Sequence, residues 1–219
     1  MKTLKCVLLF FACTAGAVHA QGTLVYDQQS SADETSPFGS VPIQAYGTVG
    51  QSFTPSLTGV GFVRLRQFDI NPGNSVGATL VVDLRSGAIN GPVIGTTTPV
   101  VLGDGFAGPV SFFFVTAVPV VPNTTYYFQT MVQSGDTWGI TTLSTLPSNN
   151  YLGGNFYGGL QPFPASDLWF REGIVVPEPS VVALLLGAGV CAWLIRNKQR
   201  GRCVVLLSSR PVRICISVT

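Results

Sequence analysis

Thr79-Leu80-Val81-Val82-Asp83-Leu84-Arg85 is the stretch that decides the fold class. Leu80, Val82 and Leu84 point one way, and Thr79, Asp83 and Arg85 the other. A period of two is the mark of a strand with one buried face. Working outward, residues 62–70 repeat the pattern: Val63 and Leu65 oppose Arg64 and Arg66. The phase is expected to slip near Gln67-Phe68, as at a β-bulge. Residues 110–115 form a continuous apolar run, and 125–132 are rich in Tyr and Phe. Residues 138–142 and 168–174 complete the set. Turn chemistry separates the runs at Asn71-Pro72-Gly73-Asn74, Ser86-Gly87, Asn90-Gly91-Pro92, Gly103-Asp104-Gly105 and Pro122-Asn123. No ten-residue window within 21–175 has the period of an amphipathic helix. The expectation is an all-β domain of eight or more strands, an antiparallel β-sandwich or jelly roll. A domain of this size buries roughly 70% of its unfolded-chain surface, enough without covalent staples.

Composition narrows the class. Of 219 residues 46% are hydrophobic and only 10% charged, which excludes a charge-rich disordered chain. The charges are sorted along the sequence. Between residues 21 and 176 stand four cations, Arg64, Arg66, Arg85 and Arg171, against nine acids, a net charge of −5 without a lysine. After Ile195 come six cations and no acid. An acidic body would repel a polyphosphate, so no nucleic-acid partner is expected. Histidine occurs once, at His19, and residues 20–190 hold no cysteine. The body therefore has no Ser-His-Asp triad, no Cys-His pair, no His- or Cys-ligated zinc and no disulfide. A carboxylate pair for glycoside hydrolysis is the remaining catalytic option. The only adjacent acids are Asp33 and Glu34, in a Ser-rich loop, and the acids read as solvated surface charge. No catalytic residue is expected.

The two ends carry targeting chemistry. Lys2 and Lys5 precede a mostly apolar stretch, residues 6–18, and Val18-His19-Ala20 places small or moderate residues before Gln21. This is the layout of a secretory signal peptide over residues 1–20, read by the Sec translocon and signal peptidase. Near the other end, Val176-Pro177-Glu178-Pro179-Ser180 leads into VVALLLGAGVCAWLI, residues 181–195, and then Arg196, Lys198, Arg200 and Arg202. Alternate prolines force an extended segment. The fifteen-residue run has no polar face. As a helix it spans ~22 Å against ~30 Å of hydrocarbon, a mismatch that snorkelling cations and local thinning absorb. Acidic body, apolar span and basic flank follow the positive-inside rule.

Pro177-Glu178-Pro179, the apolar run and the arginine cluster together resemble the PEP-CTERM sorting domain, over residues 176–202. The resemblance implies recognition and cleavage by exosortase, a membrane cysteine protease-transpeptidase. Pro177, Glu178 and Pro179 would be the recognition motif, residues 181–195 the transmembrane anchor, and Arg196, Lys198, Arg200 and Arg202 the stop-transfer cluster. It implies an exported bacterial protein, first anchored in the inner membrane and then passed to the cell envelope, cell surface or medium. Where that family ends within a few residues of the cluster, this chain continues through a basic apolar tail, residues 203–219.

Residues 50–140 of the body, 21–175, resemble, more distantly, the choice-of-anchor β-sandwich domains of bacterial surface proteins. The resemblance rests on Gly50-Gln51-Ser52-Phe53-Thr54, the strand near Phe62, Val81-Val82-Asp83-Leu84 with Gly91-Pro92-Val93-Ile94-Gly95, the run from Val121 to Phe128, and Trp138. It implies a fold and a surface setting and no ligand. Within the body, Tyr127, Trp138, Tyr151 and Tyr157 are the candidate stacking residues for sugar rings, set against the commoner role of aromatics in cores. The glycine-rich loop from Tyr151 to Gly159 is the best place for a binding edge. Asp69, Asn71, Gly73 and Asn74 offer oxygen ligands for Ca2+, or form a plain turn. The expected role is a non-catalytic component of the envelope or the extracellular polysaccharide matrix. The alternative is a carbohydrate-binding module on the cell surface, with exopolysaccharide as partner.

Overall fold

The computed structural model describes residues 22–31, 33, 39–143, 151–164 and 166–177, and Gly22–Val176 forms one compact unit. Its elements are β1 (Thr23–Gln29), β2 (Gly39–Pro42), one helical turn α1 (Ile43–Tyr46), β3 (Val49–Phe53), β4 (Gly59–Asp69), β5 (Ala78–Ser86), β6 (Val93–Thr96), β7 (Val100–Leu102), β8 (Ala107–Pro119), β9 (Tyr126–Gly135), β10 (Trp138–Leu143), β11 (Phe156–Gly158), β12 (Gln161–Phe163), β13 (Asp167–Leu168) and β14 (Phe170–Val176). The fold is all-β, and the described strands form two antiparallel sheets, consistent with a β-sandwich. In the first sheet the order is β1-β14-β4-β10-β13, with β8 on the free edge of β4 and β2 on β10. The second runs β12-β11-β3-β9-β5-β6, with β7 also on β5. Thr23 pairs with Val176, so both ends of the compact unit lie side by side.

One core joins the sheets. Val63 and Leu65 of β4, Phe112 of β8 and Phe170 of β14 share it with Phe53, Leu80, Val82, Leu84 and Phe128 of the second sheet, all fully buried. The Phe128 and Phe170 rings meet across the two sheets at 5.3 Å. Burying each such side chain contributes about 1.5–3 kcal/mol. The alternation of β5 is as its sequence predicts, and its opposite face is covered too: Val81 and Asp83 are buried. The apolar run of β8 serves two surfaces. Val110, Phe112 and Phe114 face the core, while Phe113 packs on Phe62 at 6.2 Å outside the first sheet. The turn signals fall where the backbone enters the left-handed region, at Gly73, Ser75, Gly87, Gly105 and Asn123.

β4 departs from expectation. Its pairing with β8 is unbroken from Phe62↔Phe113 to Phe68↔Ala107, and the irregularity lies instead between Val60 and Phe62. There is no slip at Gln67. Gln67 faces inward, fully buried, with neither its Oε1 nor its Nε2 in a hydrogen bond. Phe68 faces outward, and its ring occupies the space that a side chain at Gly139 would need. A polar residue in a core position imitates a change of phase when only hydrophobicity is read. The strand expected at 168–174 is likewise split. Asp167 and Leu168 pair with β10, and from Phe170 the chain pairs with β4.

Candidate functional site

Register decides which candidate aromatics meet. Tyr126 and Tyr127 sit on opposite faces of β9: Tyr126 turns to the core, and its hydroxyl accepts from Val121 N–H at 3.0 Å. Tyr127 pairs with Ser52, and Tyr157 with Gly50, two residues apart on β3. Both tyrosines therefore stand on the outer face of the second sheet, rings edge to face at 5.7 Å. Both are half-buried. Burial first, then the Tyr157 phenol beside it, raises the Tyr127 hydroxyl above its ordinary value.

Polar groups flank the pair on the same face. Arg85 lies opposite Tyr127, and Asp83 opposite Gln129. Asp83 accepts from the Thr96 hydroxyl at 2.6 Å and pairs with Arg85 at 3.1 Å. Arg85 also donates to the Gly91 carbonyl at 2.9 Å, which draws the 87–92 loop over the sheet. Ile89 of that loop is buried above Gly50, where any Cβ would overlap it. The face thus offers two phenols beside fixed polar groups, the elements of sugar recognition by stacking and hydrogen bonding.

Of the other two aromatic candidates, Trp138 is internal and Tyr151, half-buried, packs against the core. Trp138 is fully buried and packs near Phe106 at 6.3 Å, so it has no surface to offer a sugar ring. Tyr151 braces the core. Its ring meets Phe170 edge to face at 5.2 Å. Its hydroxyl donates to Gln28 at 3.0 Å and accepts from Thr54 N–H at 3.2 Å. Burial pushes this phenol up to about 12.

The loop proposed for calcium gathers carboxylates that are distant in sequence. Asp69 accepts from Asn71 N–H at 2.8 Å and Gly105 N–H at 2.9 Å. Asp104 accepts from Gly73 and Ser75 N–H, both at 2.7 Å. Asp136 accepts from Thr137 N–H and from the amides of Asn71 and Asn74. These bonds, led by Gly73 for Asp104 and by Thr137 for Asp136, lower both carboxyls below the ordinary value. The carboxylates are already engaged as clamps on the loop backbone. No group of three or more His, Cys, Asp or Glu placed to hold a metal occurs among the described residues.

The expectation that the acids are solvated surface charge fails for four of them. Asp69, Asp83, Asp167 and Glu172 are buried. Asp167 accepts from Tyr151 N–H at 2.6 Å and from the Gln51 amide at 2.7 Å. Burial raises its carboxyl despite those donors. Glu172 shares the inner face of the first sheet with its cross-strand partner Val63, next to Asp27. Asp33 lies beside the first sheet, where its carbonyl accepts from the Trp169 indole at 2.7 Å; Glu34 is outside the described residues. A shallow cleft of about 460 Å³ on the outer side of the first sheet is lined by Ser40, Arg66, Phe68, Asp69, Phe106 and Thr141.

Of the sorting residues, Pro177 is described and exposed directly after β14. Glu178, Pro179, Arg196, Lys198, Arg200 and Arg202, with residues 1–20 and 181–195, lie outside the described residues. Among the described residues no helix is long and apolar enough to cross a membrane. No known family model matches the chain, and no curated protein matches it.

Proposed function

We propose that this chain is an exported, membrane-tethered surface protein. Its leader is removed by signal peptidase after Sec export, and its C-terminal segment is processed by exosortase. The all-β unit, in our reading a jelly-roll type of sandwich between a signal helix and a transmembrane helix, is displayed as a non-catalytic part of the envelope or polysaccharide matrix. One observation carries the reading. Directly after β14 closes the compact unit come Pro177-Glu178-Pro179, a fifteen-residue apolar run and four cations in seven positions. The exposure of Pro177 supports it, because a protease needs an extended, accessible segment. Substituting Pro177, Glu178 and Pro179 together by alanine is expected to leave the full-length protein in the inner membrane of an exosortase-bearing host. Release and shortening like the unmodified protein would refute the role of the motif.

A second reading, a carbohydrate-binding module, is favoured by the Tyr127–Tyr157 pair on one outer face. Tyr127→Ala should lower retention on a responding glycan by roughly two- to tenfold, the worth of one aromatic contact of about 0.5–1.5 kcal/mol. Tyr151→Phe should leave retention unchanged and lower only stability, by about 1 kcal/mol. Glycan-array retention of both variants, read beside their thermal melts, checks this. Equal retention by Tyr127→Ala and the parent would remove the outer face from consideration.

A further inference from the structure

We propose that β1 is a pH-released strand: Glu172, fully buried beside Asp27 with no hydrogen bond to either carboxyl oxygen, keeps β1 seated only while it carries a proton. The geometry is specific to this edge. Among the described strands β1 closes the first sheet and pairs with β14 alone. Its register breaks between Tyr26 and Gln28, so Asp27 is the extra residue, opposite the Gly173–Glu172 step.

The two carboxyls are treated differently by their surroundings. Asp27 is ringed by donors: Ser56 N–H at 2.7 Å, Leu57 N–H at 3.0 Å, the Ser56 hydroxyl and the Gln28 amide at 3.1 Å. Burial would raise it, but these donors outweigh burial and hold it below the ordinary carboxylate value. Asp27 is therefore the anion of the pair. Glu172 has no comparable donors. The Gln28 backbone N–H lowers it by less than burial and the Asp27 carboxyl raise it. Burial first, then the Asp27 charge, pushes Glu172 up to about 8.

The other ionisable groups around it do not neutralise a Glu172 anion. From β4 its partner is Val63, and Arg64 stands on the opposite face. On β14 itself Arg171 also faces outward, over the Tyr26 and Trp169 rings. From the segment before β11 comes Tyr151, and beyond it Asp167, an acid as well. Ionised Glu172 would face Asp27 without a cation between them, in a medium where like charges repel strongly.

The linkage has a definite sign. With β1 detached, Glu172 meets water and returns to an ordinary value near 4.5. Between that value and about 8 the seated state holds one proton more than the detached state. Raising the pH through this window therefore favours detachment, about tenfold per pH unit. Above about 8 both states are ionised and the effect levels off.

The test is hydrogen exchange of the full chain in neutral detergent from pH 5 to 9, read on peptides covering β1 and corrected for intrinsic rates. The opening constant of β1 should rise about tenfold per unit up to about pH 8 and then flatten. Glu172→Gln, which cannot ionise, should be flat throughout. Asp27→Asn, which removes the neighbouring charge, should move the plateau to lower pH. A flat wild-type profile, a Glu172→Gln profile that follows wild type, or a plateau unmoved in Asp27→Asn would each overturn the proposal.

Discussion

Phe170→Ala is expected to destabilise the Gly22–Val176 unit by about 3–5 kcal/mol, the range for deleting a buried aromatic ring. The magnitude follows from position. Phe170 is fully buried and sits where β14 begins to pair with β4. Its ring is the first-sheet member of the contact with Phe128, at 5.3 Å, and also supports Tyr151 at 5.2 Å. Removing it empties the junction between the sheets. The strands around the junction are tied by backbone ladders and cannot collapse to fill the gap. Domains of this kind are stable by only about 5–15 kcal/mol, so about a fifth or more of the margin goes. Equilibrium denaturation and a thermal scan read this, with Tm expected to fall by roughly 6–20 °C. A loss below 1 kcal/mol would mean that Phe170 does not bridge the sheets. Phe113→Ala is the internal control. Its ring lies on the outer face and is 40% exposed, so its effect should be much smaller.

The same contrast shows what the sequence makes legible. β5 and β9 are long, and their inward residues repeat at every second position, so Leu80, Val82, Leu84 and Phe128 are readable as core. β6, β7, β11 and β12 are three or four residues long, too short for a period to stand out. Most of their residues are exposed or half-exposed, and they exist because longer strands offer edges to pair with. Gln67 misleads for a different reason, since a polar side chain occupies a core position that only the neighbouring register reveals.

Site residues divide along similar lines. That Tyr126 and Tyr127 take opposite faces is local geometry. That Tyr127 meets Tyr157 depends on β3 lying between β9 and β11, a non-local fact. Trp138 belongs to the interior, and Tyr151 packs half-buried against it, because long-range pairing brings their partners there. The clamps formed by Asp104 and Asp136 carry a faint signal, an acid beside glycine in Gly103-Asp104-Gly105 and Gly135-Asp136. The approach of Asp27 to Glu172 carries none, as the two are far apart in the chain and join only when β1 docks on β14.

The largest functional effect is expected from the C-terminal segment, where the outcome is all or none. In a host with exosortase, the chain should be cut near Pro177-Glu178-Pro179. The β unit would then leave the inner membrane without the apolar run and the basic cluster. Without exosortase the proposed anchor would remain, and moving fifteen apolar residues and their flanking cations out of lipid would be too costly for spontaneous release. The β unit is expected to be indifferent to which state it is in, because its core and both its ends are complete within Gly22–Val176.

The decisive measurement is therefore a fractionation of the host with and without exosortase, following the protein with an antibody against the β unit. A shortened product in the outer fractions or medium is expected in the first case, and a full-length inner-membrane product in the second. One unchanged inner-membrane species in both hosts would contradict it.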